Sequence, residues 1–393
     1  MDKKGKSFIV KNKFLPAWFE DPDKRAYDNV DFQPRPLECP EKTFNLWNGF
    51  AIEKCDVEPK NCERILDLIN TLCNFQEETY GYFMDWLAQM VQFPAVKSGT
   101  AIVLKSEPGG GKSTLSIIFR KMMGQSYVGE TANPAQDIFG THGNIHIGKI
   151  LTFLDEVKSG DTVKNLGQLK NLITSEKCNY NEKGVKLVEV MNCSRFLFTT
   201  NESIPLAVDD NDRRYGMIEC SDKYCLNFEF WIDFYKNVVE DQGIIKGFFN
   251  TLMERDVSNR DWMSFPQTEL RSEMIKASLH PIIYFLDKFI RSHKYISEDI
   301  IKITPTKLFA VYKEYCSKHN INVTGNASGF GSIFRSRTRF EKVDIGIEIK
   351  KSNGIRKYEM DKYKVFEWLK SKDYTMYDAL PKCDITYDSE DEL

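Results

Sequence analysis

The residues best suited to chemistry form a glycine-rich run, Ser106-Glu107-Pro108-Gly109-Gly110-Gly111-Lys112-Ser113-Thr114, directly after the apolar stretch Ala101–Leu104. Glycines let backbone N–H groups converge on an anion, and a helix that starts at once beyond them aims its positive end at the same point. A helix is predicted from Thr114 to Met123. Lys112 then reaches the β- and γ-phosphates of a nucleotide, and the Ser113 hydroxyl ligates Mg2+. Strand, glycine turn, Lys-Ser and helix in that order make a P-loop. One position departs from the usual pattern, which begins with glycine where this chain has Ser106. The three successive glycines at 109–111 offset that loss in flexibility.

Three further segments offer partners for a phosphate. Lys149-Ile150-Leu151-Thr152-Phe153-Leu154-Asp155-Glu156 reads as an apolar strand ending in two carboxylates. At the carboxyl edge of a sheet, Asp155 suits a Mg2+ ligand and Glu156 suits a group that orients or deprotonates water. Ser194-Arg195-Phe196-Leu197-Phe198-Thr199-Thr200-Asn201 is a second such strand, and Asn201 can hydrogen-bond an attacking water or a γ-phosphate. Asp212-Arg213-Arg214-Tyr215 supplies a guanidinium fork for a phosphate in transit, in cis or from a neighbouring copy. Ion pairing with Asp209, Asp210 or Asp212 is the alternative use of those arginines. His142 and His146 have i,i+4 spacing but lie in a Gly-Asn loop, so no metal site is expected there.

These segments need elements to carry them. Residues 1–42, rich in Lys, Asp and Pro, read as a lead-in without sustained periodicity. From 43 to 94 apolar residues recur at helical spacing (Ile65, Leu66, Ile69, Leu72 and Cys73 on one face; Tyr82, Phe83, Trp86, Leu87, Met90 and Val91 on another), which predicts a helical domain. Residues 95–222 alternate short β-branched runs with helical stretches, as an α/β sheet domain does. Residues 223–279 return to helical periodicity, with Phe228, Trp231, Phe234 and Tyr235 as a core stripe. Residues 280–372 give helices from His280-Pro281 to Ile290, Thr306–His319 and Gly329–Ser336. Strands follow at Val343–Ile349 and Ile355–Met360, joined by Ser352-Asn353-Gly354, a pattern that suggests a winged helix. Residues 373–393 form an acidic tail.

Composition narrows the class. At 393 residues, 41% hydrophobic and 28% charged, the chain has the balance of a soluble multi-domain protein. Its net charge of −3 gives no molecule-wide attraction to nucleic acid, so any such surface is local. One local surface is the cluster Arg335, Arg337, Arg339, Lys342, Lys350, Lys351, Arg356 and Lys357, set against only Glu341, Asp344 and Glu348. It would suit duplex DNA held through phosphates. No apolar run is long enough to cross a bilayer and no signal-peptide core follows the basic start, so a cytoplasmic or nuclear, non-secreted protein is expected. Ten irregularly spaced cysteines read as reduced thiols.

Taken together, the glycine loop, the Asp155-Glu156 strand, Asn201 and the paired arginines fall in order within about 110 residues. They resemble superfamily 3 helicases, particularly the poxvirus primase-helicase type and its phage and giant-virus relatives. Phe44-Asn45-Leu46-Trp47-Asn48-Gly49-Phe50, Trp86–Pro94, His280-Pro281 and Tyr312-Lys313-Glu314-Tyr315 extend the resemblance over residues 40–370. It implies an α/β protein with a P-loop (AAA+-like) ATPase core, an N-terminal helical domain and a C-terminal winged-helix domain. Its cofactors would be ATP and Mg2+. Lys112, Ser113 and Thr114 match the Walker A loop and Asp155 and Glu156 match Walker B. Asn201 matches the motif C sensor, and Arg213 or Arg214 the arginine finger. Lys183 and Lys186 match the basic tip of a channel hairpin that grips DNA, and Lys97 a contact to a neighbour's nucleotide. The implied activity is 3′→5′ translocation on single-stranded DNA by a homo-hexamer that opens forked duplex, with a primase or polymerase as partner. The alternatives are a DNA motor without strand separation and a replication initiator or scaffold whose nucleotide only drives assembly.

Overall fold

The structure, a computed structural model, describes residues 14–140, 142–156, 159–180, 188–202, 212–277, 279–295, 297–323, 326–372, 374–375, 377 and 379–380. Helix α1 (Phe14–Glu20) comes first and buries none of its side chains. Strands β1 (Asn29–Asp31) and β2 (Thr43–Asn45) then pair in parallel. Asn45 fastens them by accepting from the Gln33 backbone N–H (3.0 Å) and donating to the Gln33 carbonyl (2.9 Å). Phe32 is buried against Trp47 and Tyr127. The lead-in expected over 1–42 therefore gives way to packed structure by residue 29, because these aromatic rings have a core to enter.

In α2 (Glu63–Leu72) the residues Ile65, Leu68, Ile69 and Leu72 form one buried stripe. Helix α3 (Glu77–Gln92) is buried around most of its circumference, from Tyr82 and Phe83 through Trp86 and Leu87 to Met90 and Val91. A helix apolar on every side needs cover on every side. Here one continuous apolar core joins it to the sheet and to the helix at Gln242–Glu254. The segments read as separate units over 43–94, 95–222 and 223–279 thus share that core.

The sheet consists of β3 (Ala101–Lys105), β4 (Val128–Thr131), β5 (Leu151–Leu154), β8 (Arg195–Thr200) and β9 (Tyr215–Glu219), in the order β4-β5-β8-β3-β9. All its pairings are parallel: Lys105 lies opposite both Thr200 and Glu219, and Leu154 lies opposite Phe198 and Thr131. Near-continuous burial along β3, β5 and β8 fits strands covered on both faces. Helix α4 (Lys112–Met123) follows β3. Helices α5 (Pro134–Asp137) and α6 (Ser159–Thr174) lie between the strands, and β6 (Lys177–Tyr180) and β7 (Val188–Met191) make an antiparallel pair.

After the sheet come α7 (Phe228–Phe234), a π-helical turn at Tyr235–Val239, α8 (Gln242–Glu254) and α9 (Glu269–Ala277). Phe234 is buried and Trp231 packs on the core, but Phe228 is 72% exposed. The stripe expected through Phe228 fails at its first member, since the first turn of α7 overhangs the core.

A second core fills the C-terminal unit. Its elements are α10 (Pro281–Ile290), β10 (Ile300–Ile303), α11 (Pro305–Lys318), α12 (Ala327–Thr338), β11 (Ile347–Ser352), β12 (Ile355–Asp361) and α13 (Lys362–Ser371). The hairpin turns at Asn353-Gly354, both at positive φ, and the sheet order is β10-β12-β11. The first strand of the hairpin begins at Ile347 rather than Val343. Asp344 instead accepts from the Gly346 N–H (3.0 Å) in a turn, which leaves Val343 exposed. Among the described residues no helix is long and apolar enough to cross a membrane, and the nine cysteines are free thiols.

Two buried polar side chains brace the sheet. Arg195, 2% exposed at the start of β8, has no carboxylate partner among the described residues. Its guanidinium donates to Gln89 Oε1 (2.8 and 3.1 Å) and to the carbonyls of Phe93 (2.9 Å), Pro94 (3.1 Å), Cys193 (3.3 Å) and Val96. Burial pulls its pKa down to about 9, so it stays charged at pH 7 and staples the α3–β3 connection to β8. Removing it orphans several buried acceptors, each worth about 1–3 kcal/mol. Arg195→Met is expected to lower unfolding stability by at least about 3 kcal/mol in denaturant titration; a loss under about 1 kcal/mol would refute the staple.

His146 is buried beside the Phe196 ring, and among the described residues neither ring nitrogen has a partner. Desolvation first, then the Lys97 charge, lower its pKa from 6.5 to about 4. The unfolded chain then takes up the proton before the folded one. Stability is expected to fall as pH drops from 6.5 towards 4, by about 3 kcal/mol from this group alone. His146→Gln should flatten that part of the pH–stability curve, and an unchanged slope would contradict it.

Candidate functional site

The turn at 106–111 leaves the buried end of β3 and enters α4 without a spacer. Gly109 and Gly111 sit at φ +83° and +94°, a region that favours glycine. At Gly111 a Cβ would also lie 2.5 Å from the Trp231 ring, so α7 closes over the turn. Ser106, where the usual pattern has glycine, is accommodated by Gly110. Its hydroxyl donates to the Glu107 carbonyl (2.8 Å), and a Cβ on residue 110 would stand 2.9 Å from that hydroxyl. Glu107, Pro108, Gly109 and Ser113 are exposed at the rim or partly so. Thr114 is buried, 3.1 Å from the Tyr235 hydroxyl.

Lys112 reaches back from the first turn of α4 across the carboxyl ends of two strands. Its ammonium donates to the Ser106 carbonyl (2.7 Å) and the Thr200 carbonyl (3.1 Å). Burial lowers its pKa, and Cys220, Asp155, Cys225 and Glu107 oppose that shift. Burial pushes the Cys220 thiol up to about 12, so it is neutral at pH 7 and the negative charge facing Lys112 comes from Asp155 and Glu107. Asp155 follows β5 directly, its N–H donating to the Thr131 carbonyl (2.8 Å), and one carboxylate oxygen accepts from the Thr199 hydroxyl. Glu156 comes next, exposed and at φ +50°, a strained backbone for a non-glycine residue. Asn201 is exposed at the end of β8, one residue beyond the carbonyl that Lys112 grips. The glycine turn, Lys112, Asp155, Glu156 and Asn201 therefore share the carboxyl edge of one sheet. The strand order turns around β3 there, the place where open parallel sheets form a crevice.

The arginines lie elsewhere. Arg213 and Arg214 precede β9, and the Arg214 carbonyl accepts from the Ala101 N–H (2.7 Å) at the start of β3. The full length of β3 separates them from the turn, roughly 16 Å at about 3.3 Å per residue. Parallel pairing therefore sets the arginines and the turn at opposite ends of β3. The two arginines also differ. Arg214 donates to Asp212 Oδ1 (3.2 Å), and Lys170 holds Oδ2 (2.7 Å). Burial alone would raise the pKa of Asp212, but Lys170 and Arg214 outweigh it and hold the carboxyl below its usual value. Arg213 is exposed, has no ion-pair partner among the described residues, and lines an open cleft of about 640 Å³ with Tyr215, Phe265 and Arg271.

Lys97, expected to reach a neighbour's nucleotide, turns inward. Its ammonium donates to the Leu172 carbonyl (2.8 Å), and burial, with the Arg195 charge, brings its pKa to about 8. Lys183 and Lys186 lie outside the described residues, in the connection between β6 and β7. Thr199, Trp231 and the backbone of Leu226, whose nitrogen lies 3.6 Å from where a Cβ on Gly109 would be, were not foreseen as parts of the site. Thr199 stands in the strand already read as leading to Asn201, but nothing in its spacing names the carboxylate it orders.

A family of unknown function, DUF5906, matches residues 104–214, the stretch holding the turn, both carboxylates, Asn201 and the two arginines. The chain is also similar to the DNA primase-polymerase of Nitratiruptor phage NrS-1, at 27% identity over 231 residues that make up 57% of this chain and 31% of the phage protein. The chain thus matches less than a third of that relative's length. Among solved structures, the apo C-terminal region of NrS-1, 305–718, superposes with a TM-score of 0.59 at 20% identity over 84% of each chain. An A-form apo structure of the region gives 0.60 with the same coverage. The two share a fold.

Proposed function

We propose that this chain is the nucleotide-hydrolysing motor of a phage-type DNA replication protein, a P-loop ATPase of the superfamily 3 helicase kind. The observation that carries the reading is the meeting of Lys112, Asp155, Glu156 and Asn201 with the glycine turn at one sheet edge. In this reading the backbone N–H groups of Gly109–Ser113 cradle the β- and γ-phosphates of ATP, and Lys112 exchanges its carbonyl partners for phosphate oxygens. The Ser113 hydroxyl and the Asp155 carboxylate, hard oxygen donors on one rim, would hold Mg2+, which would neutralise charge on those phosphates. Glu156 takes a proton from the attacking water and Asn201 orients it.

Arg213 acts from a neighbouring copy. Its exposure, beside an Arg214 already engaged by Asp212, favours it as the finger and a ring, a homo-hexamer, as the assembly. The order helix, strand, two helices and hairpin after residue 280 supports a winged helix. The antiparallel β6–β7 pair supports the reading of this region as a hairpin that grips single-stranded DNA, while Lys183 and Lys186 themselves lie outside the described residues. The phage relative's name joins priming with polymerisation, so a primase or polymerase is the proposed partner, and unwinding of forked DNA the proposed task.

Two measurements test this. Lys112→Ala is expected to abolish nucleotide binding, whereas Glu156→Gln should bind ATP normally and hydrolyse it about 100-fold or more slowly. Undiminished turnover in Glu156→Gln would remove its role, and binding without hydrolysis in the unmodified protein would leave an assembly switch. Lys112→Ala and Arg213→Ala chains, each inactive alone, are expected to regain turnover when mixed, because mixed interfaces pair an intact loop with an intact arginine. Failure of every mixing ratio would exclude a finger supplied in trans.

A further inference from the structure

The C-terminal hairpin carries a charge arrangement that the described residues leave unbalanced on one face. Directly opposed residues of an antiparallel pair point to the same side of the sheet. Ile347 faces Met360, Ile349 faces Tyr358 and Lys351 faces Arg356 on one side; Glu348 faces Glu359 and Lys350 faces Lys357 on the other. The second side is neutralised internally. Lys350 bridges Glu348 (3.4 Å) and Glu359 (2.9 Å), and Lys302 of β10 approaches Glu359 as well.

The first side is different. Tyr358 packs against Phe334 of α12 and against Phe340, and the Arg335 charge reaches its hydroxyl, so this side looks towards α12. Two residues nearer the tip, beyond the half-exposed Ile349, stand Lys351 and Arg356. Among the described residues neither has an ion-pair partner, and Arg339 and Lys342, just past α12, have none either. Like charges directly across a strand pair are destabilising when nothing lies between them. A hairpin that keeps such a pair in the open, on the side facing a helix, is suited to receive an anion.

We propose that the α12-facing side of the β11–β12 hairpin grips the phosphodiester backbone of duplex DNA, with Lys351 and Arg356 as its principal cations and without reading base sequence. The positions Ser328, Ser332 and Ser336 follow one another along α12 at successive i,i+4 steps, with Arg335 and Arg337 only in its last turn. Serines let a helix approach a backbone closely but lack the reach of the arginine, asparagine or glutamine side chains that read base edges in pairs. The aromatic rings nearby, Phe330, Phe334, Phe340 and Tyr358, are all buried. A single strand held by base stacking would need such rings exposed, so the chemistry favours duplex. The proposal stands on this unit's own geometry and needs no nucleotide at the sheet edge.

The test uses the full chain without nucleotide, titrated by fluorescence anisotropy against two duplexes of unrelated sequence and an oligo-dT of matching length. The unmodified protein is expected to bind both duplexes alike. Lys351→Glu/Arg356→Glu should weaken both at least about tenfold. The slope of log K against log salt should fall by about 2, since each phosphate no longer neutralised removes roughly 0.9 from it. Lys351→Gln/Arg356→Gln, which removes charge without reversing it, should give a smaller loss in the same direction and stands in for the reversal if that variant melts early. DNA-independent nucleotide turnover should be unchanged in both variants, which separates this hairpin face from the sheet-edge site. Unaltered duplex affinity and slope, a loss confined to oligo-dT, or strong preference for one duplex sequence would each overturn the proposal.

Discussion

Lys112 ties the ends of two parallel strands together, with its ammonium on the carbonyls of Ser106 (2.7 Å) and Thr200 (3.1 Å). Those partners are neutral and the ammonium is half-buried, so its charge is only partly compensated. The nearest negative groups, Asp155 and Glu107, act through their field. Such a cation has free energy to gain from an anion, because exchanging two carbonyls for charged oxygens makes a stronger bond at the same place. The arrangement depends on β3 being an inner strand, so that its neighbour β8 presents Thr200 and Asn201 alongside the turn and β5, one strand further, presents Asp155.

The same parallel pairing that collects these groups at one edge sends others to the opposite edge. Arg213, Arg214 and the inward-turned Lys97 belong to the amino end of the sheet. The cleft beside Arg213 and the crevice above β3 therefore open at opposite edges of one sheet. Buried polar contacts keep the two edges in register, with Arg195 clamping the connection into β3 and Thr199 ordering Asp155.

The C-terminal unit has its own core and its own electrostatic plan, with one hairpin face neutralised and the other, among the described residues, left without ion pairs. The basic cluster visible along residues 335–357 is therefore not uniform. Arg335, with Glu341 3.9 Å away, Lys350 and Lys357 sit within mixed charge, whereas Lys351, Arg356, Arg339 and Lys342 do not. Composition shows a sum, and register shows which charges remain available.

Local physics was legible from residue order alone. Glycine at 109–111 followed by Lys-Ser, an apolar run ending in Asp155-Glu156 and a second ending in Asn201 each carry their chemistry within a few neighbours, and strand polarity then puts them on a common edge. The Asn353-Gly354 turn was equally local, since both residues tolerate positive φ. Merging of the helical segments into one core, the inward turn of Lys97, the overhang of Phe228 and the placement of the arginines a strand's length from the turn were decided by tertiary structure. The reason is that these depend on which strands become neighbours and which faces they cover, and contacts between residues far apart in the chain leave no periodicity in the sequence to read.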